Sequence, residues 1–324
     1  MPLSIGVALC THNGSRYLLE QLDSILAQTV AVSEIVISDD HSTDGTLAVI
    51  EQFQKRIPAT VQLTLLQNPV PLGVTKNFEQ ALKKTTTDIV FLSDQDDVWL
   101  KNKVESLVPF FSSPDTGLVH TDALIIDDSG RMTGDKLFAT LRVHRSEIAS
   151  EERGDGLHVL LKRNIVTGAT CAVRRDFALS TMPFPSSWLH DEWLAIQSSI
   201  RGGLRVSLAS TTLYRVHTNN QIGAHKLSTK SAVARLTSSR RDRNHRLLNR
   251  ANDLLERENI KDNQDKEKLE LLIEKVQHEA VRSGYPEKHV RRIVPVLSEV
   301  QTGRYWKYGG GLRDILRDLV QPSE

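Results

Sequence analysis

Four short apolar runs, separated by segments of helical period, constrain the first hundred residues more tightly than anything else in the sequence. Ile5–Cys10, Glu34–Ser38, Val61–Leu66 and Asp88–Leu92 read as strands. Between them, Ser15–Ala27 sets Leu18, Leu22, Ile25 and Leu26 on one helical face. Ser42 and Thr43 are N-cap candidates for a helix over Asp44–Gln54, and Gly73–Lys83 reads as a third helix. Strands alternating with helices predict parallel strands joined by crossover helices, hence an open α/β sheet. Beyond Trp99 the pattern is mixed. A helix is expected over Leu100–Phe111, a strand over Leu118–Ile126, a polar loop or lid over Arg131–Arg153, a short helix over Leu157–Arg163 and a strand over Thr170–Arg174. A helix over Leu189–Ile200 and strands over Leu204–Leu208 and Thr212–Val216 follow, and from Ser228 onward the chain reads as helical, with breaks near Gly284-Tyr285-Pro286 and Gly309-Gly310-Gly311.

Chemistry concentrates where the apolar runs end. Phe91-Leu92-Ser93-Asp94-Gln95-Asp96-Asp97-Val98-Trp99 is a strand ending in three carboxylates. Like charges so close repel one another and lose hydration at a strand end. A divalent cation relieves both costs, and hard oxygen ligands suit Mg²⁺ or Mn²⁺. An isolated acidic turn of this kind is otherwise simply solvated. Here it closes a four-strand α/β run, at the sheet edge where such folds bind ligands. Ser38-Asp39-Asp40-His41-Ser42-Thr43-Asp44-Gly45-Thr46 ends the second strand in acids as well. Asp40 there is suited to accept from a base N–H or a ribose hydroxyl, whereas Asp44 reads as an acid of the helix's first turn. Thr11-His12-Asn13-Gly14 ends the first strand in small and polar residues, which suits either a turn or close approach to a nucleotide.

These three motifs, in this order and spacing, resemble the family 2 glycosyltransferases. The likeness extends to His190-Asp191-Glu192-Trp193 and Tyr214-Arg215-Val216-His217-Thr218-Asn219-Asn220, so it covers about residues 1–225. The Asp-Gln-Asp-Asp-x-Trp form is similar to the bacterial branch of rhamnosyl- and galactosyl-type transferases of surface polysaccharides. The resemblance implies a GT-A fold: a Rossmann-like, open, mostly parallel sheet with flanking helices, here followed by a helical C-terminal region at 226–324. It implies that Thr11 and Asn13 line a nucleotide pocket, with Asp40 on the base. Asp94 and Asp96 match the family's Asp-x-Asp, one toward ribose or metal-bound water and the other on the metal, with Asp97 an alternative ligand. Asp191 matches the general base of inverting members, or else it charges a helix N-terminus. His217 matches a third metal ligand, or else a strand-end histidine satisfied by backbone. The implied donor is a UDP- or dTDP-sugar, the cofactor Mn²⁺ or Mg²⁺, and the acceptor a hydroxyl of a glycan or lipid-linked glycan. Inversion needs one carboxylate to deprotonate that hydroxyl and a means of stabilising the departing diphosphate.

Smaller signals remain open. Gly168-Ala169-Thr170 suits either close approach of an acceptor or packing. Trp99 and Trp188 suit either stacking on sugar or the core, and His190 is a weaker acceptor-side candidate.

Charge separates the two regions. Lys226 to the end carries 21 Lys and Arg against 15 Asp and Glu, and the remainder 20 against 25. Arg235, Arg240, Arg241, Arg243, Arg246 and Arg250 form a basic stretch suited to anionic lipid, at roughly 1 kcal/mol per residue near the surface. A solvated face, or pairing with acids of the catalytic domain, is its other reading. Leu269, Leu272, Ile273, Val276 and Ala280 recur at helical spacing, which points to packing on a neighbour such as a second protomer. Tyr305-Trp306 and the amphipathic Leu312–Val320 stretch suit a membrane interface. Nucleic-acid binding is disfavoured by a net charge of only +1 and by the lack of a known module. Met1–Gly6 has no signal-peptide character, no apolar stretch is long enough to span a bilayer, and Cys10 and Cys171 are too few for a disulfide framework. A cytoplasmic enzyme, peripheral at most on the inner membrane face, is therefore expected. The rival classes are a metal-dependent nucleotidyltransferase, which would carry a Gly-rich basic phosphate loop after the first strand, and a catalytically dead nucleotide-sugar-binding scaffold.

Overall fold

Strands β1 (Ile5–Thr11), β2 (Glu34–Asp39) and β4 (Ile89–Ser93) are buried at every position, as parallel strands covered on both faces must be. The computed structural model describes residues 3–217, 239–259 and 265–323. Thr218, Asn219, Asn220, Arg235 and the expected helix start at Ser228 lie outside the described residues. With β3 (Gln62–Gln67), β5 (Val98–Trp99), β6 (Leu118–Ile126), β7 (Met132–Lys136), β8 (Ala172–Arg174) and β9 (Leu204–Arg215), these strands form one sheet in the order β3-β2-β1-β4-β8-β6-β9-β5, with β7 on β6. The β3-β2-β1-β4 half is wholly parallel. Antiparallel β8 then joins β4 to β6, and β6 and β9 run parallel. Helices α1 (Leu18–Leu26) and α2 (Thr46–Gln54) pack Leu18, Leu22, Ile25, Ile50 and Phe53 onto Val7, Leu9, Ile35, Ile37 and Phe91. Side chains alternate along a strand, so Ala8, Val36 and Val90 face the opposite side. There α3 (Val74–Lys84) lies against β1 and β2.

The second half departs from expectation at three places. Leu100–Phe111 is a short helix α4 (Lys103–Leu107) and a 3-10 turn (Val108–Ser112), because Pro109 cannot continue the α-helical ladder. Arg131–Arg153 is no open loop: it holds β7, α5 (Leu137–Thr140) and α6 (Arg145–Glu152). Asp122 anchors α5 by accepting from Phe138 N at 2.9 Å, and His120 pairs with Glu151 of α6 at 2.7 Å in the interior. The two strands expected over 204–216 are one long β9, whose register against β6 shifts around Asp122. Helices α7 (Gly156–Leu160), α8 (Arg175–Ser180) and α9 (His190–Ile200) complete this stretch.

Two compact units divide the chain: Met1–Gly156 with Ile165–His225, and Leu157–Asn164 with Lys226–Glu324. The second contains α10 (Arg240–Asn259), α11 (Lys266–Ser283), α12 (His289–Gln301), α13 (Arg304–Tyr308) and α14 (Leu312–Val320). Among the described residues, no helix is long and apolar enough to cross a membrane. The interior of this unit is ionic. Fully buried Asp318 accepts from Arg282 Nε at 2.7 Å, Tyr305 OH at 2.8 Å and Asn244 Nδ2 at 3.2 Å, and it also pairs with Arg243. Glu279 holds the other side of Arg282 at 3.0 Å, and His278 pairs with Glu299 at 2.6 Å. The buried face of α11 is therefore Leu271, Leu272, His278, Glu279 and Arg282, rotated from the expected stripe, and Ile273 is exposed. Arg240 and Arg243 of the basic stretch also turn inward, Arg240 donating to Arg282 O at 3.1 Å and Tyr285 O at 2.9 Å.

Removing one member of a buried ionic network strands its partners. Asp318→Ala is expected to destabilise the second unit by about 3–5 kcal/mol, read as a lowered urea midpoint. An unchanged midpoint would show that the arginines do not depend on Asp318.

Candidate active site

Matched parallel register brings the polar ends of three strands to one sheet edge: Thr11 stands opposite Asp39, and Leu9 opposite Ser93. Gln95 ties two of these ends together. Its Oε1 accepts from Thr11 Oγ1 at 2.5 Å and His12 N at 2.8 Å, and its Nε2 donates to His12 O at 3.1 Å. A Cβ at Gly14 would lie 2.1 Å from Gln95 Oε1, so a larger residue here would displace the Gln95 carboxamide from these bonds. Asn13, just before Gly14, has φ 51°, its Oδ1 accepting from Thr43 N at 2.8 Å and its N donating to Ser42 Oγ at 2.8 Å. The start of α2 is held by Asp44, which accepts from Thr46 N at 2.9 Å, rather than by the expected caps Ser42 and Thr43. Asp40 is buried and accepts from Leu72 N at 2.7 Å, Gly73 N at 2.9 Å and Asn68 Nδ2 at 3.0 Å. It thus fixes the loop between β3 and α3 at the rim of this edge.

The acid cluster is assembled by the short β5. Its pairing with β9, Val98 opposite Leu213, sets Asp96 and Asp97 beside Arg215 and His217. Arg215 N donates to Asp97 Oδ1 at 2.9 Å, and its Nε donates to Asp96 O at 2.7 Å. Its guanidinium also pairs with Glu20 at 2.6 Å. His217 Nε2 lies 2.9 Å from Asp96 Oδ2, with the imidazole stacked on Tyr17 at 5.1 Å. Asp97 Oδ2 is buried with no hydrogen-bond partner among the described residues. Burial, then the charges of Asp96 and Asp191, push the Asp94 carboxyl up to about 7. Asp97 is raised by burial and by Asp96 and Asp94. Beneath them, wholly buried Lys103 is pulled down to about 7 by desolvation, against the opposing charges of Asp97, Cys171 and Asp94. Among the described residues no three His, Cys, Asp or Glu side chains form a ready-made metal cage. The crowded acids and the unpartnered Asp97 oxygen do fit a cation held by Asp96 and His217, completed by ligand oxygens.

The 3-10 turn Gly168–Thr170 connects this cluster to α9. Lys103 Nζ donates to Ala169 O at 2.5 Å and Thr212 Oγ1 at 2.9 Å. Gly168 N donates to Asp191 Oδ2 at 2.9 Å, and Glu192 N to Asp191 Oδ1 at 2.8 Å. A Cβ at Gly168 would lie 2.9 Å from His190 Nε2, so this glycine permits the close approach of turn and helix. His190 is stacked on Phe78 with centroids 3.8 Å apart, and burial lowers it to about 3, leaving it neutral. Trp99 and Trp188 are core residues, Trp99 under the Lys103 ammonium at 4.4 Å and Trp188 against Trp193 at 5.7 Å.

Residues 6–180 match the family model described as "Glycosyl transferase family 2", which is more than half of the chain. The chain belongs to this family. The dTDP-rhamnosyl transferase RfbG of Shigella flexneri is 29% identical over 234 residues, 70% of this chain and 78% of the relative. Staphylococcus aureus TarS 1-349, solved with UDP-GlcNAc, superposes with a TM-score of 0.58 at 16% identity, covering 92% of this chain and 81% of that one. The mannosyltransferase PcManGT of Pyrobaculum calidifontis, solved with GDP-Man and Mn²⁺, superposes with a TM-score of 0.53 at 15% identity, covering 99% and 87%. The fold is GT-A.

In this family 2 member, the structure gathers Thr11, Asn13, Asp40, Asp94, Asp96, Asp97, His217 and Asp191 at the carboxyl edge of the sheet and the adjoining turn. Sequence reasoning missed Gln95 and Lys103 as residues that hold this group together. Gln95 lies inside the acid motif and was readable there. Lys103 carried no signal, because a lysine in a helix of mixed pattern reads as solvated. Lys103→Met is expected to cost about 1–3 kcal/mol, since Ala169 O and Thr212 Oγ1 lose their buried donor. Thermal melting checks this, and an unchanged melting temperature would show that the ammonium contributes nothing net.

Proposed function

We propose that this enzyme transfers a hexose or deoxyhexose, of rhamnose or galactose type, from a UDP- or dTDP-sugar to a hydroxyl of a surface polysaccharide or lipid-linked glycan, with inversion. The observation carrying the proposal is one carboxylate, Asp191, held by two backbone N–H groups within electrostatic reach of Asp94. An inverting site needs this: a fixed base on one side of the anomeric carbon and charge stabilisation for the diphosphate on the other. Asp191 takes the acceptor proton as the hydroxyl attacks, and the Gly168 and Glu192 amides keep its carboxylate oriented. Thr11 and Asn13 line the nucleotide side. Asp40 braces the Leu72–Gly73 loop and retains acceptor capacity for a base N–H. Asp94 faces the ribose side. Asp96 and His217 hold a divalent cation, Mn²⁺ or Mg²⁺, which when bound stabilises negative charge on the leaving diphosphate as a Lewis acid. Asp97, already bonded to Arg215 N, is its alternative ligand. The metal bound by PcManGT and the donor bound by TarS support this assignment, and the RfbG relative supports a dTDP-deoxyhexose as the first donor to test. The two buried free thiols, Cys10 and Cys171, support a cytoplasmic setting.

Released nucleoside diphosphate is expected from one donor of a nucleotide-sugar panel with Mn²⁺ or Mg²⁺, and chelator is expected to abolish it. If no donor is turned over and no nucleotide binds, the reading fails. Asp191→Asn is expected to bind that donor normally while transfer falls roughly 10²–10⁴-fold; retained transfer would remove Asp191 as the base. Asp96→Ala is expected to lose the metal-dependent part of donor affinity, measured with and without chelator. An unchanged difference would move the metal elsewhere.

A further inference from the structure

Two helices of the second unit bury charged residues on their inner faces and carry apolar stripes on their outer ones. On α12, Val290, Ile293, Val294 and Leu297 recur at i, i+3, i+4 and i+7, with Val290 79% and Val294 72% exposed. The opposite face, Arg292, Val296 and Glu299, is buried. On α14, Leu312, Leu316 and Val320 form a second outward stripe, Leu312 69% exposed, opposite buried Ile315 and Asp318. The two helices lie side by side and antiparallel. Arg292, near the start of α12, donates to Gln321 O at 2.6 Å beyond the end of α14, and His289 Nε2 lies 3.2 Å from Val320 O. Both bury their inner faces in one cluster of Tyr285, Val296, Tyr305 and Ile315, so the two stripes share one outer surface. Trp306, 47% exposed, packs its indole beside Gly311 where the α14 stripe begins.

We propose that this surface is where the protein sits on an anionic lipid bilayer. Charge decides the occupant. The acids of the two helices are withdrawn: Glu299 and Asp318 into the ionic interior, and Asp314 onto Gly310 N at 2.7 Å, where it also pairs with Arg317 at 3.5 Å and Arg313 at 3.9 Å. Arg291 and Arg313 stand outward at the borders of the stripes, with Lys288 exposed at the start of α12 and Arg317 partly so on α14. Among the exposed acids nearby, Glu287 faces Arg241 at 4.0 Å, and Asp242 adjoins the same arginine in sequence. An apolar face bordered by cations fits lipid tails and anionic headgroups together. A second copy docking through the same face would set like charges against each other. The Arg-rich start of α10 is a poorer candidate, because Arg240 and Arg243 serve the interior. The inference sharpens the lipid-linked acceptor reading but rests on the second unit alone.

Flotation of the full chain with vesicles tests it. Binding is expected to phosphatidylglycerol–phosphatidylcholine vesicles, weakened by salt and by omission of phosphatidylglycerol. The triple variant Val294→Ser/Leu297→Ser/Leu316→Ser, altered only at exposed positions, is expected to keep its melting temperature and lose at least about tenfold in partition. Arg291→Gln and Arg313→Gln are each expected to lose about fivefold at low salt. Absence of flotation, or equal flotation of the triple variant, overturns the proposal. A dimer that the same three substitutions dissolve, without vesicle binding, overturns it in favour of a self-interface. Nucleoside diphosphate release in vesicle-free assays is expected to be unaffected by these variants, so failure here is distinguishable from failure of the transferase reading.

Discussion

A parallel strand buried on both faces tolerates charge only where it ends, and the first unit depends on that constraint. Strand β4 is sealed between β1 and β8, so its acids cannot begin before Asp94. The same rule places Thr11 and Asp40 at the ends of β1 and β2. Because the three strands run parallel in matched register, their ends reach one edge together. Side-chain chemistry from distant parts of the chain is thereby concentrated without any long-range recognition between the motifs themselves.

Concentrated carboxylates are unstable neighbours, and the surrounding residues are explained by what offsets their repulsion. Lys103 lies buried below, Arg215 ties Asp97 to the backbone of Asp96, and His217 closes on Asp96. Two of these come from the end of β9, more than a hundred residues away in sequence. The register shifts of β9 against β6 let its end meet both Ile126 and, through β5, the acid motif. Lys103 has a second role: the amine that faces the acids also holds the turn that holds Asp191. The acid cluster and Asp191 are thus tied into one hydrogen-bonded assembly.

The second unit solves a different problem. Its helices meet around Asp318, Arg282 and Glu279 as well as around buried Leu254, Leu271, Leu272 and Val296, while the valines and leucines of the α12 and α14 stripes remain outside. Such an interior adds the geometric specificity of hydrogen bonds to the burial of apolar area. That leaves apolar side chains available for a surface role.

The sequence by itself determined the alternation of strand and helix over the first hundred residues, since period and turn chemistry are local properties. It determined that acids cap β2 and β4, and the motif order carried the family. Only tertiary structure decided the rest. The two-residue β5, too short for any periodicity, sets Asp96 against His217. Arg131–Arg153 looked like a lid because its order comes from contacts such as Asp122 to Phe138 N, which no local pattern contains. Two arginines of the basic stretch and the α11 stripe turn otherwise than expected for the same reason. A charged residue reads as solvated unless its partner is known, and Arg240, Arg243 and Arg282 find theirs tens of residues away. Periodicity reports which side chains share a face; only packing determines whether that face turns in or out.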